Sequence, residues 1–124
     1  MKQDGIPCVA IVDDEEDFVR LLIRLFQKRG IPVSFVAHDG GEAVEKFNEA
    51  DVKPDVILMD HHMITMDGIE NTRRILSGNK NTRIIFLSAD MQIREEALNA
   101  GACAFLSKPI GVNEIVKAIN SCES

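Results

Sequence analysis

The chain alternates between two periodicities of apolar residues, and few architectures accept that pattern. Short apolar runs rich in Val, Ile and Phe occur at Cys8–Val12, Val33–Val36, Val56–Met59, Ile84–Leu87 and Ala104–Leu106, as doubly covered parallel strands require. Between and after them the spacing is helical. Phe18, Leu21, Leu22 and Leu25 share one face, with Arg20, Arg24 and Lys28 turned elsewhere and Gly30 and Pro32 as a stop. Ala43, Val44 and Phe47 repeat the pattern, and Ile69, Thr72, Arg73 and Leu76 form a weaker stripe stopped by Gly78. Ala97 and Ala100 mark a short fourth helix closed by Gly101, and Val112, Ile115, Val116 and Ile119 mark a fifth, with Asn113 near its start. Strict alternation predicts an α/β fold of (βα)5 type, a parallel sheet with right-handed crossovers in a three-layer sandwich.

At 124 residues the chain is expected to be one domain, with a core over about 8–120 and no effector domain. The 45% hydrophobic and 27% charged composition is that of a globular protein, and a net charge of −6 argues against nonspecific nucleic-acid binding. No segment has the apolar length of a membrane span, and Met1–Pro7 lacks the apolar core of a signal peptide, so a cytoplasmic location is expected. Cys8, Cys103 and Cys122 lack Cys-x-x-Cys spacing. Cys8 and Cys103 read as reduced packing thiols and Cys122 as an exposed one.

Polar residues punctuate the ends of the apolar runs: Asp13 and Asp14, Asp60, Ser88, and Lys108. In open α/β sheets ligands bind beyond the carboxyl ends of the strands, where strand order reverses. For the doubly wound order 2-1-3-4-5 that point lies between the strands ending at Asp13/Asp14 and Asp60. Two like charges about 5 Å apart repel by about 3 kcal/mol at an effective dielectric of about 20. A hard divalent cation removes that cost, and an oxygen-only site with room for water suits Mg²⁺ or Mn²⁺. Such an ion completes its shell with phosphate oxygens, beside which Lys108 and the Ser88 hydroxyl would supply a charge and a donor. A carboxylate placed there can attack phosphorus, and Asp60, alone on the central strand, is the candidate nucleophile.

These residues carry a family resemblance from about Cys8 to Ile119. Val-Asp-Asp-Glu at Val12–Glu15, Pro-Asp-Val-Ile-Leu-Met-Asp at Pro54–Asp60, Met-Asp-Gly at Met66–Gly68, Leu-Ser-Ala at Leu87–Ala89 and Lys-Pro at Lys108–Pro109 occur in order. Each alone is weak; together they closely resemble the receiver domain of two-component response regulators, in a stand-alone form like the chemotaxis regulator. The resemblance implies the flavodoxin-like order 2-1-3-4-5, of which a chemotaxis member is a standard example.

It also implies roles. Asp60 looks like the phosphoacceptor, supplied by a phosphohistidine on a histidine kinase or histidine phosphotransfer protein. Asp14 would bind Mg²⁺ directly, Asp13 through water, and the His62 backbone carbonyl would add a ligand. Ser88 would hydrogen-bond the phosphoryl group, Lys108 would pair with it, and the Lys108–Pro109 peptide is expected to be cis. Phe105 matches the switch aromatic, coupling Ser88 to a partner surface made by the fourth helix, fifth strand and fifth helix. His62 and Asp90 match positions that flank the hydrolytic water and would tune the phosphorylated lifetime. Ile64 stands where proline is common, Ser88 where threonine is, and Ile110-Gly111 where an aromatic residue and a helix start are usual. The expected protein is a switch catalysing only its own phosphorylation and dephosphorylation, monomeric at first and able to dimerise when phosphorylated, with no nucleic-acid or membrane partner.

Other readings explain less. Asp13–Asp17 alone would serve as an acidic helix start, and adjacent side chains at a strand end, such as His61 and His62, are expected to point apart and chelate poorly. A flavin binder needs a Ser/Thr/Gly-rich first loop, and a nucleotide-binding Gly-x-x-x-x-Gly-Lys loop is missing. A haloacid dehalogenase-like phosphatase places its nucleophile in Asp-x-Asp after the first strand and usually carries a cap. A receiver-like module that binds partners without phosphorylation has no need of all five strand-end residues.

Overall fold

Parallel strands buried on both faces organise the chain. The computed structural model describes residues 6–60, 68–78, 81–89, 91–107 and 110–122. Its elements run β1 (Val9–Val12), α1 (Glu16–Lys28), β2 (Val33–Ala37), α2 (Gly40–Glu49), β3 (Val56–Asp60), α3 (Gly68–Gly78), β4 (Arg83–Ser88), a 3₁₀ turn (Met91–Ile93), α4 (Arg94–Asn99), β5 (Ala104–Ser107) and α5 (Val112–Ser121). The sheet has the order β2-β1-β3-β4-β5, and every neighbouring pair is parallel.

Strand alternation divides the core in two. Ala10, Val12, Ile57, Met59, Ile84 and Phe86 pack beneath α2, α3 and α4 through Ala43, Phe47, Ile75 and Ala97. Val9, Ile11, Val56, Leu58, Ile85 and Leu87 pack on the other face beneath α1 and α5 through Leu22, Phe26, Ile115 and Ile119. This doubly wound sandwich is the one expected from the alternating pattern.

Some helical faces are rotated from the expected ones. On α1 the buried residues are Val19, Leu22 and Phe26, whereas Leu21 is 49% exposed. The apolar residues of this helix span more than half its circumference, so periodicity alone does not single out the arc that meets the sheet. On α3 Thr72 is buried and Leu76 packs against the core as expected, but Ile75 is buried too and Arg73 is exposed; the Ile69 side chain lies outside the described residues. Asn113 lies near the start of α5, but Gly111 is the residue at its N-cap.

The cysteines correct the sequence reading most. Cys103 and Cys122 form a disulfide with a Cα–Cα separation of 6.0 Å, and Cys122 is buried rather than exposed. A separation of 19 residues hides the pairing from any local motif; the αβ return that brings the two ends together is tertiary. Cys8 is a free, half-buried thiol, its pKa raised by burial and then by the nearby Asp55 carboxylate.

Candidate functional site

The carboxyl ends of β1 and β3 bring the acids together. Val12 is in register with Met59, so Asp13 and Asp60 follow as neighbours at the rim between the two strands. The Asp13 backbone N–H donates to the Ala37 carbonyl at the end of β2 (3.0 Å), and its Oδ1 accepts from the Glu15 N–H at 2.8 Å. That side-chain turn ends the strand and leads into α1, whose first turn carries Glu16 and Asp17. The part played by β2 went unread in the sequence; its only signal was the strand order, which puts β2 beside β1.

Asp13 is 1% exposed and Asp60 3%, while Asp14 is open to solvent. One carboxylate oxygen from each of the three lies within 4.8 Å of the others. At that spacing two anions repel by about 3 kcal/mol at an effective dielectric of about 20, less where Asp14 is screened by water. Three hard oxygens this close, two of them buried, fit a divalent cation of the Mg²⁺ or Mn²⁺ kind.

Ser88 ends β4 and is fully buried. By strand alternation it shares the α2/α3/α4 face with Ile84 and Phe86. Phe105 is half-buried against that same cluster, its Cα in register with Phe86, one strand over. Ser88 and Phe105 therefore lie on one face of adjacent strands. His61, His62, Asp90, Lys108 and Pro109, with Ile64 and Met66–Asp67, lie outside the described residues, and so do the expected carbonyl ligand, ammonium and cis peptide.

The family model of the response regulator receiver domain matches residues 9–120. The chain belongs to this family. It is 39% identical over 115 residues to the chemotaxis protein CheY of Thermotoga maritima, covering 90% of this chain and 93% of that protein. CheY of Bacillus subtilis is 36% identical with the same coverage. The transcriptional regulatory protein TrcR of Mycobacterium tuberculosis is also 36% identical, but this chain spans only 45% of it. Among solved structures, a chain of the CheX–CheY–BeF3–Mg²⁺ complex from Borrelia burgdorferi superimposes with a TM-score of 0.86 at 34% identity, covering 94% of this chain and 90% of that one. The receiver domain of a Francisella response regulator gives 0.82 at 31%, covering 94% and 95%. The chain is thus a CheY-like receiver domain of two-component signalling, a family in which phosphorylation on aspartate is typical.

Proposed function

We propose that this chain is a phosphoaccepting switch that takes a phosphoryl group from a phosphohistidine donor onto Asp60. The observation that carries this reading is the buried Asp60 carboxylate, set beside Asp13 at the point where strand order reverses. An Asp60 oxygen attacks phosphorus, the P–N bond to the donor imidazole breaks, and that nitrogen takes up a proton. Hydrolysis reverses the charge: water attacks phosphorus, the P–O bond to Asp60 breaks, and the carboxylate returns with inorganic phosphate. His62 and Asp90, at the positions to which the resemblance assigns tuning of this step, would set its rate.

Asp13, Asp14 and Asp60 would hold the divalent ion, with the His62 carbonyl as a further ligand. When bound, Mg²⁺ supplies positive charge that offsets the clustered carboxylates and the incoming phosphoryl oxygens. Ser88 donates to a phosphoryl oxygen and Lys108 pairs with the new anion. Movement of Ser88 frees space on the face it shares with Phe105, and the surface formed by α4, β5 and α5 changes for a downstream protein. The donor is a histidine kinase or phosphotransfer protein, the setting is the cytoplasm, and the net charge of −6 disfavours direct DNA binding.

Incubation with acetyl phosphate and Mg²⁺, followed by intact-mass measurement, tests the assignment. One phosphoryl adduct is expected, labile to hydroxylamine, not formed when EDTA is present and absent from Asp60→Asn. An adduct that survives the substitution, or forms equally without metal, refutes Asp60 as the metal-assisted acceptor.

A further inference from the structure

The Cys103–Cys122 disulfide has no part in the phosphoryl chemistry, yet it brackets β5 and α5 completely. Cys103 sits one residue ahead of β5, tied to the sheet by its N–H, which donates to the Ile84 carbonyl at 2.7 Å. Cys122 closes α5, its N–H donating to the Ala118 carbonyl at 3.0 Å, and it is 8% exposed in the cluster beneath α1 and α5. The bond therefore fastens the last turn of α5 to the β4–β5 edge of the sheet. That turn has no basic residue to complement the helix dipole and ends without glycine. Ile115, one turn earlier and fully buried, anchors the helix independently of the bond.

We propose that Cys103–Cys122 is a reversible redox clamp on α5, opened by a dithiol reductant and closed by a disulfide oxidant. Cys103 is the exposed partner and offers the point of entry. A reductant thiolate attacks its Sγ, the Sγ–Sγ bond breaks, and Cys122 leaves as a thiolate that takes a proton. The second thiol of the reductant then attacks the mixed disulfide and releases Cys103, which is protonated in turn. Two electrons pass to the cysteine pair, and the dithiol becomes a disulfide. In a cytosol that keeps thiols reduced, disulfides of mesophilic proteins are usually transient or redox-sensing rather than structural. The opened form keeps α5 docked through Ile115 but releases its last turn, which carries Ile119. Phe105 lies two residues beyond Cys103, so the clamp acts on the same β5–α5 surface as the proposed phosphoswitch; this consequence and the cytosolic setting rest on that reading.

The test uses the full chain, oxidised in air. Maleimide labelling under denaturing conditions should find one thiol, Cys8, before dithiothreitol and three after, and the folded protein should titrate reversibly in mixtures of reduced and oxidised glutathione. Reduction should lower the thermal midpoint by about 10 °C. It should speed amide exchange at residues 118–122 by about tenfold or more while the β1 and β3 amides stay protected. Cys103→Ser, altered at an exposed position, should behave as the reduced protein and ignore dithiothreitol. Three free thiols in the oxidised chain, a bond that yields only after global unfolding, or unchanged exchange at the end of α5 overturns the clamp. Asp60→Asn should show the full redox response, so failure of the phosphoswitch and failure of the clamp are separately visible.

Discussion

Glu42 shows how much one side chain does at the start of a helix near the rim. Asp39 caps α2 by accepting the Glu42 N–H at 2.8 Å, and the Glu42 carboxylate reaches back to the His38 N–H at 2.5 Å. This reciprocal pair satisfies two donors that the helix start would otherwise leave open. The His38 hydrogen bond is the main cause of the lowered Glu42 pKa, with a smaller pull from Lys46, against an opposing effect of burial. A lowered folded-state pKa means stability present above the unfolded value, about 4.3, and lost as pH falls through the folded one. Glu42→Gln should therefore cost a few tenths of a kcal/mol near pH 7, the small value expected of a solvent-screened group. Urea unfolding at pH 7 and pH 3 checks this. A difference from wild type that persists at pH 3 rules out the carboxylate as its source.

Between elements the close contacts lie at turns. Gly101, which links α4 to β5, has φ +114°, and a Cβ built there would stand 2.6 Å from Leu76 Cδ1 on α3. Gly30, after α1, has φ +70° with open space around it. Gly30→Ala should cost about 1 kcal/mol from backbone strain alone. Gly101→Ala should cost about 2–4 kcal/mol, because Leu76 must also move. Urea midpoints of the two variants compare the costs, and equal losses would deny the Leu76 contact. Thr72 offers the opposite sign: its buried hydroxyl lacks a hydrogen-bond partner among the described residues, so Thr72→Val should gain up to about 1 kcal/mol. The stop at Gly101 was legible because a short helix followed by glycine and a strand run leaves little choice. The full inward arcs of α1 and α3 were not: α1 carries apolar residues on several sides, and on α3 Thr72 was readable but the burial of Ile75 rather than Arg73 was not. The disulfide was illegible because its pairing is tertiary.

At the scale of the molecule, sheet order and strand-end acids were readable together. Doubly covered strands need continuous apolar runs, so a carboxylate ending such a run is conspicuous, as at Asp60. What the sequence could not supply was that Asp13 is buried and held by Ala37 and Glu15 while its neighbour Asp14 is open. That asymmetry gives a stability prediction for the metal-free protein. Asp13→Asn keeps an oxygen able to accept the Glu15 N–H but removes two of the three pairwise repulsions in the cluster. The variant should unfold at higher urea than wild type without metal, by about 1–3 kcal/mol after allowance for the screening of Asp14. Adding Mg²⁺ should close most or all of that gap. A ligand at 100 times its dissociation constant stabilises wild type by about 2.7 kcal/mol, and the variant, having lost a full anionic charge, should gain far less at the same concentration. Urea titrations of both proteins with Mg²⁺ and with EDTA measure all four states. If Asp13→Asn is weaker without metal and responds to Mg²⁺ as wild type does, the three aspartates are a structural turn rather than a cation seat.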